Sequence, residues 1–126
     1  MHRPRASRIS IIDIAVWDLN ARSVKLPLHR YLGGYAADAV PAYASGGYYL
    51  DGKTTAMLGA EMAGYVKPGF RAVKMKVGRL SPKEEEARVR AARAAIGPDV
   101  LLTLDANNTW QNLPTALEHL KRYEYR

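Results

Sequence analysis

Apolar positions in this chain recur at two different spacings, and the two alternate along its length. Ile9, Ile12, Val16 and Leu19 fall at helical intervals, which predicts a helix from Ser10 to about Arg22 with one apolar stripe. Pro27 opens a short turn or helix through Leu32, and Gly33-Gly34 stops it. Val40 to Ala44 reads as a short strand, and Ser45 to Gly52 as a loop rich in turn formers. A helix from Thr54 to Lys67 follows, with Met57, Leu58, Met62 and Val66 on its apolar side and Pro68-Gly69 at its end. From Phe70 to Val77 the period becomes two: Ala72, Lys74 and Lys76 share one face of a strand, Val73, Met75 and Val77 the other. Ser81-Pro-Lys-Glu84 is a capping box with proline at the first helical position, and its helix runs to Ile96 before Gly97-Pro98. Val100 to Leu104 is almost unbroken apolar, the pattern of a strand buried on both faces. Asp105 to Trp110 is a loop, Leu113 to about Arg122 a last helix, and Tyr123 to Arg126 the expected start of a fourth strand.

After residue 40 the order is strand, helix, strand, helix, strand, helix. Such alternation argues for an α/β fold with a parallel sheet and right-handed crossovers. The pattern alone fits a barrel and an open doubly wound sheet equally. A chain of 126 residues with 48% hydrophobic content has the makings of a packed core and not of a disordered segment. A whole (β/α)8 barrel needs roughly 250 residues, so a barrel here would be incomplete. No apolar run approaches the ~20 residues of a membrane span, so no membrane partner is expected. The Ile9–Leu19 stretch, interrupted by Ser10, Asp13, Trp17 and Asp18, makes a poor signal-peptide core. The absence of cysteine removes disulfides, thiolate metal sites and cysteine nucleophiles, and fits a reducing cytoplasm, the expected location. The net charge of +7 fits an acidic ligand, an arginine-rich surface, or a segment separated from an acidic remainder. Only Arg3, Arg5 and Arg8 cluster, and no basic stripe carries interleaved aromatics, so no nucleic-acid partner is expected.

Two features carry chemistry. Lys74 and Lys76 stand on one face of a strand, about 6.6 Å apart. Either this is an edge or surface strand with two solvated lysines, or the pair faces a cavity and something anionic answers it. In a cavity the two charges repel by roughly 2 kcal/mol, which lowers the proton affinity of both. One lysine then becomes a usable general base, while the other stays charged and holds a carboxylate. Asp105 ends the next apolar strand, where α/β sites place their functional groups. It suits Mg²⁺, which takes oxygen ligands, and it equally suits an Asx turn or a helix cap. Asn107 and Asn108 share both readings. In a parallel sheet Lys76 and Asp105 point to the same rim, which makes the combination far more specific than either half.

Taken together, these residues resemble the mandelate racemase/muconate lactonizing enzyme branch of the enolase superfamily. Ile12-Asp-Ile-Ala-Val-Trp-Asp-Leu19, Leu26-Pro27 and Leu32-Gly-Gly34 are similar to the last helix of the family's capping domain and its exit into the barrel. Val40 to Ser45 is similar to the first barrel strand, Lys74-Met-Lys-Val-Gly78 to the catalytic Lys-x-Lys strand, and Leu104-Asp-Ala-Asn107 to the strand with the first metal ligand. The resemblance implies a partial (β/α)8 barrel of about three βα units over residues 37–126, preceded by the end of an α+β capping domain over residues 1–36. It implies a Mg²⁺-dependent enzyme that abstracts the proton α to a carboxylate, through an enediolate, as a racemase, acid-sugar dehydratase or cycloisomerase. Lys76 would be the acid/base residue and Lys74 would polarise the substrate carboxylate. Asp105 would be the first Mg²⁺ ligand, and Asn107 a substrate neighbour on the same rim. The substrate would be a small hydroxy or sugar acid, and the full-length protein a homo-oligomer. The family's two further acidic ligands and second acid/base residue have no counterpart before Arg126, so the chain alone is expected to be inactive. The alternative is a small non-catalytic α/β module that binds anionic ligands through a basic face.

Overall fold

The computed structural model describes residues 4–34 and 39–123. These residues divide into two compact units, Met1–Val40 and Pro41–Arg126. The boundary expected between residues 36 and 37 lies outside the described residues.

The first unit holds two helices, α1 (Pro4–Ser23) and α2 (Leu28–Tyr31). The α1 helix begins earlier than its apolar stripe suggests. Proline is tolerated in a first helical turn because that turn's N–H groups have no helical partner. Trp17 meets Tyr31 edge to face, with ring centroids 5.9 Å apart, and joins the two helices. The stripe residues Ile9, Ile12, Val16 and Leu19 are all solvent-exposed.

The second unit is built from β1 (Ala44–Gly46), α3 (Thr55–Val66), β2 (Ala72–Lys76), α4 (Pro82–Ile96), β3 (Leu101–Asp105) and α5 (Leu113–Tyr123). The three strands form one parallel sheet in the order β1-β2-β3. Val73 and Met75 of β2 are fully buried and lie in one cluster with Leu58 and Met62 of α3 and Ala92 and Ile96 of α4. The two helices pack closely at Gly59, whose Cα faces Ala91 and Ala95 of α4. The opposite face of β2 carries Lys74 and Lys76, as its period of two predicts.

Three expectations are corrected. The first strand is Ala44–Gly46, not Val40–Ala44. Its position is set by pairing with β2, Ala44 against Val73 and Gly46 against Met75, and by Gly46, whose missing Cβ leaves room for Glu61 and Tyr65. The third strand is not buried on both faces. Leu101 is 61% exposed, because the face carrying Leu101, Thr103 and Asp105 is the one the helices leave uncovered. Met57, placed on the apolar side of its helix by spacing, is also exposed, and Leu58 and Met62 do the packing. As for the expected fourth strand, Tyr123 is the last residue of α5, and residues 124–126 lie outside the described residues.

Candidate functional site

The β2–β3 register places Lys76 directly beside Asp105, and Lys74 beside Thr103. Both lysines converge on one carboxylate oxygen. Lys76 Nζ donates to Asp105 Oδ2 at 2.7 Å, and Lys74 Nζ lies 3.3 Å from the same atom. The second oxygen, Oδ1, accepts the Asn107 backbone N–H at 2.9 Å. Asn107 holds a left-handed backbone (φ 51°), a conformation asparagine tolerates better than most residues, and so turns its side chain back toward the strand. Its Oδ1 accepts from Lys76 Nζ at 3.1 Å. Lys74 also lies over the Tyr43 ring, 5.4 Å from its centroid. All four site residues expected from the sequence, Lys74, Lys76, Asp105 and Asn107, therefore meet at the C-terminal rim of the sheet.

The electrostatics follow from these contacts. The hydrogen bonds from Lys76, Asn107 N–H and Lys74 hold the Asp105 carboxyl far below the usual carboxylate range. The hydrogen bond to Asp105 raises Lys74 above its ordinary value, the reverse of the lowering that mutual repulsion alone would give. For Lys74 the anion outweighs the neighbouring cation because it sits 3.3 Å away, about half the distance at which the two amines were expected to stand from each other.

Beneath this rim lies a second group, which the sequence reading passed over. Glu85, fully buried near the start of α4, accepts the backbone N–H groups of Gly78, Arg79 and Leu80 at 2.9–3.0 Å, as well as the Tyr49 hydroxyl. Arg88, one turn on, pairs with Glu85 at 3.0 Å and lies under the Tyr49 ring, 4.0 Å from its centroid. In a helix this rich in charge neither residue stands out. The available signal was their spacing: Glu85, Arg88, Ala92 and Ile96 form a single stripe, and all four are buried.

Magnesium was expected at Asp105. Among the described residues, no three His, Asp or Glu side chains converge closely enough to hold a metal ion. The one carboxylate at the rim already answers two ammonium groups. The described residues do not by themselves fit a magnesium centre.

Residues 57–126 match the family described as enolase C-terminal domain-like. The chain belongs to the enolase superfamily, in its mandelate racemase/muconate lactonizing enzyme branch. Over 116 residues it is 40% identical to arabinonate dehydratase from Saccharolobus solfataricus, a match covering 92% of this chain and 31% of that protein. A racemase from Streptomyces coelicolor A3(2), solved with bound magnesium, superposes with a TM-score of 0.74 at 38% identity, over 90% of this chain and 33% of that one. D-glucarate dehydratase from Agrobacterium tumefaciens, complexed with magnesium, gives 0.73 at 32% identity, over 90% and 32%. The chain spans about a third of the length of these relatives. Its parallel three-stranded sheet corresponds to part of the superfamily's barrel.

Proposed function

We propose that this chain supplies the opening βα units of a barrel enzyme that abstracts the proton α to the carboxylate of a small hydroxy or sugar acid. Residues 37–126 are the barrel portion and residues 1–36 the end of the capping domain. The observation that carries this reading is the convergence of Lys74, Lys76, Asp105 and Asn107 on one rim of adjacent parallel strands. In it, Lys76 moves the proton at its Nζ. Lys74, whose charge Asp105 secures, polarises the substrate carboxylate. The Asn107 amide, already within reach of Lys76, orients the substrate beside it. Asp105 is the carboxylate this chain would bring toward magnesium, and the further acidic donors would come from other barrel strands. Alone, the chain is inactive. The complete enzyme is a cytoplasmic homo-oligomer. A non-catalytic anion-binding module, the other reading of the +7 charge, draws little support from the rim, because its two lysines already share a carboxylate.

The test is a chimera in which this chain replaces the matching segment of the 40%-identical arabinonate dehydratase. Incorporation of solvent deuterium at the α-carbon of a panel of hydroxy and sugar acids is followed with magnesium present. The chimera should exchange, the isolated chain should not, and Lys76→Ala should cost the chimera about 10²–10⁴-fold. Exchange that is indifferent to Lys76→Ala would remove Lys76 from its role.

A further inference from the structure

The loops that follow β1 and β2 are both tied to one buried guanidinium. Arg88 Nη2 donates to the Gly47 carbonyl at 2.7 Å, and Nη1 donates to the Lys76 carbonyl at 3.2 Å while pairing with Glu85. The peptide of Gly47 is held from the other side as well, since its N–H donates to Glu61 Oε1 at 3.1 Å. Gly47 has φ +66°, and a Cβ there would stand 2.5 Å from Met75 Cβ, so this turn has no slack. Glu85 in turn fills the cradle of three consecutive N–H groups at Gly78, Arg79 and Leu80. Such a cradle attracts an anion, and here the chain's own carboxylate occupies it. The Tyr49 hydroxyl is a further joint: it donates to Glu85, accepts from Arg79 N–H at 3.2 Å, and its ring covers Arg88.

We infer that Arg88, locked by Glu85 and Tyr49, is a positioning residue that fixes the backbone of Lys76 and so aims its amine at the rim. The planar fork is what the task requires: the carbonyl of Gly47 just after β1, the carbonyl of Lys76 on β2 and one carboxylate are held at once. A lysine at this position keeps the charge beside Glu85 but has no rigid fork, so it cannot hold both carbonyls in the same geometry. Lys76 bears the consequence because its own carbonyl is one of the two, whereas Val73 and Met75, also on β2, are held by core packing and by pairing with strands on both sides. Neither Arg88 nor Glu85 needs to touch substrate for this to matter. The inference rests on the reading that Lys76 is the acid/base residue only where it speaks of catalysis; the geometric part stands without it.

The experiment has two arms. In the 126-residue chain, the side-chain amine of Lys76 is followed by nuclear magnetic resonance, with the backbone amides of Val73 and Met75 as internal reference. Arg88→Lys should shift the Lys76 amine signal and accelerate hydrogen exchange at Gly78, Arg79 and Leu80, with the reference amides unmoved. Tyr49→Phe, which removes one hydrogen bond and keeps the ring, should move the same signals in the same direction by less. In the chimera, Arg88→Lys should lower kcat by about 10- to 100-fold with KM little changed, as expected for a small misplacement of a reacting group. Should Arg88→Lys fail to fold, Tyr49→Phe decides alone. An unmoved Lys76 signal in a folded variant, or uniform loss of protection including Val73 and Met75, overturns the inference. If the Lys76 signal shifts as stated while Lys76→Ala leaves exchange intact, the positioning stands and the assignment of Lys76 as acid/base falls.

Discussion

Asp105 carries one negative charge between two ammonium groups, and that imbalance governs how it titrates. Its folded-state pKa lies below the usual 3.8, so its stabilising contribution is present above that value and is lost only as pH falls well below it. The carboxyl carbon of Asp105, followed by nuclear magnetic resonance, should therefore show no protonation step as pH passes through 3.8. Asp105→Asn should bring the titration of Lys74 back down, since the bond to Asp105 is the main cause of its rise. A Lys74 titration that ignores Asp105→Asn would mean the pairing does not persist in solution. Tyr49 gives the opposite sign. Burial first, and then its bond to Glu85, push it up to about 12 from 10.0. The unfolded chain thus ionises this tyrosine first, and the stability it confers, complete below 10, drains away between 10 and about 12. Denaturant midpoints across that alkaline range should fall less steeply in Tyr49→Phe than in the parent.

At the level of elements, local chemistry and tertiary chemistry leave different marks. The limits of α4 were readable outright. Ser81 accepts from Glu84 N–H, the Glu84 carboxylate returns to Ser81 N–H at 3.1 Å, Pro82 opens the helix, and Gly97 closes it at φ 77°. All of these signals lie within a few residues of the helix ends they mark. Lys74, Lys76 and Asp105 were readable for a related reason: a period of two and a parallel register suffice to bring them to one rim. The first strand was not readable, because its limits are set by pairing with β2 nearly thirty residues on, and its Gly46 position, beside Glu61 and Tyr65, has space only for a residue without a Cβ. Glu85 and Arg88 were missed for a related reason: the N–H groups that meet Glu85 lie just before its helix, but Tyr49 and Gly47, which complete the group, are contributed by the segment after β1. The two kinds of position should also differ in energy. Ser81→Ala should cost about 1 kcal/mol in urea unfolding, the ordinary loss of a helix cap. Gly47→Ala should cost more, about 1–3 kcal/mol from backbone strain alone with the Met75 clash added, so that equal losses would contradict the tight turn described here.

For the whole molecule, the question is what a +7 chain with uncovered apolar surface does in solution. Among the described residues β1 and β3 each have one neighbouring strand, so the outer hydrogen-bonding groups of both are open to further pairing. The face of β3 beside that edge carries Leu101, 61% exposed, and α1 exposes Ile9, Ile11, Ile12, Ile14 and Leu19. Patches of this kind favour association, whereas a uniform excess of positive charge opposes it. The two effects respond differently to salt. Raising ionic strength from about 0.01 M to about 0.15 M shortens the reach of charge repulsion from about 30 Å to about 8 Å and leaves apolar attraction in place. Sedimentation velocity should therefore show the chain nearest to monomeric at low salt and increasingly self-associated as salt rises. Leu101→Lys, which puts a charge beside the open strand edge, should shift that equilibrium back toward monomer. Association that weakens with salt would instead point to ion pairing between copies and would detach the behaviour from the sheet edge. If the proposed barrel reading holds, further barrel strands would cover the outer edge of β3, so the same measurement on the chimera with arabinonate dehydratase should lose part of the salt-driven component.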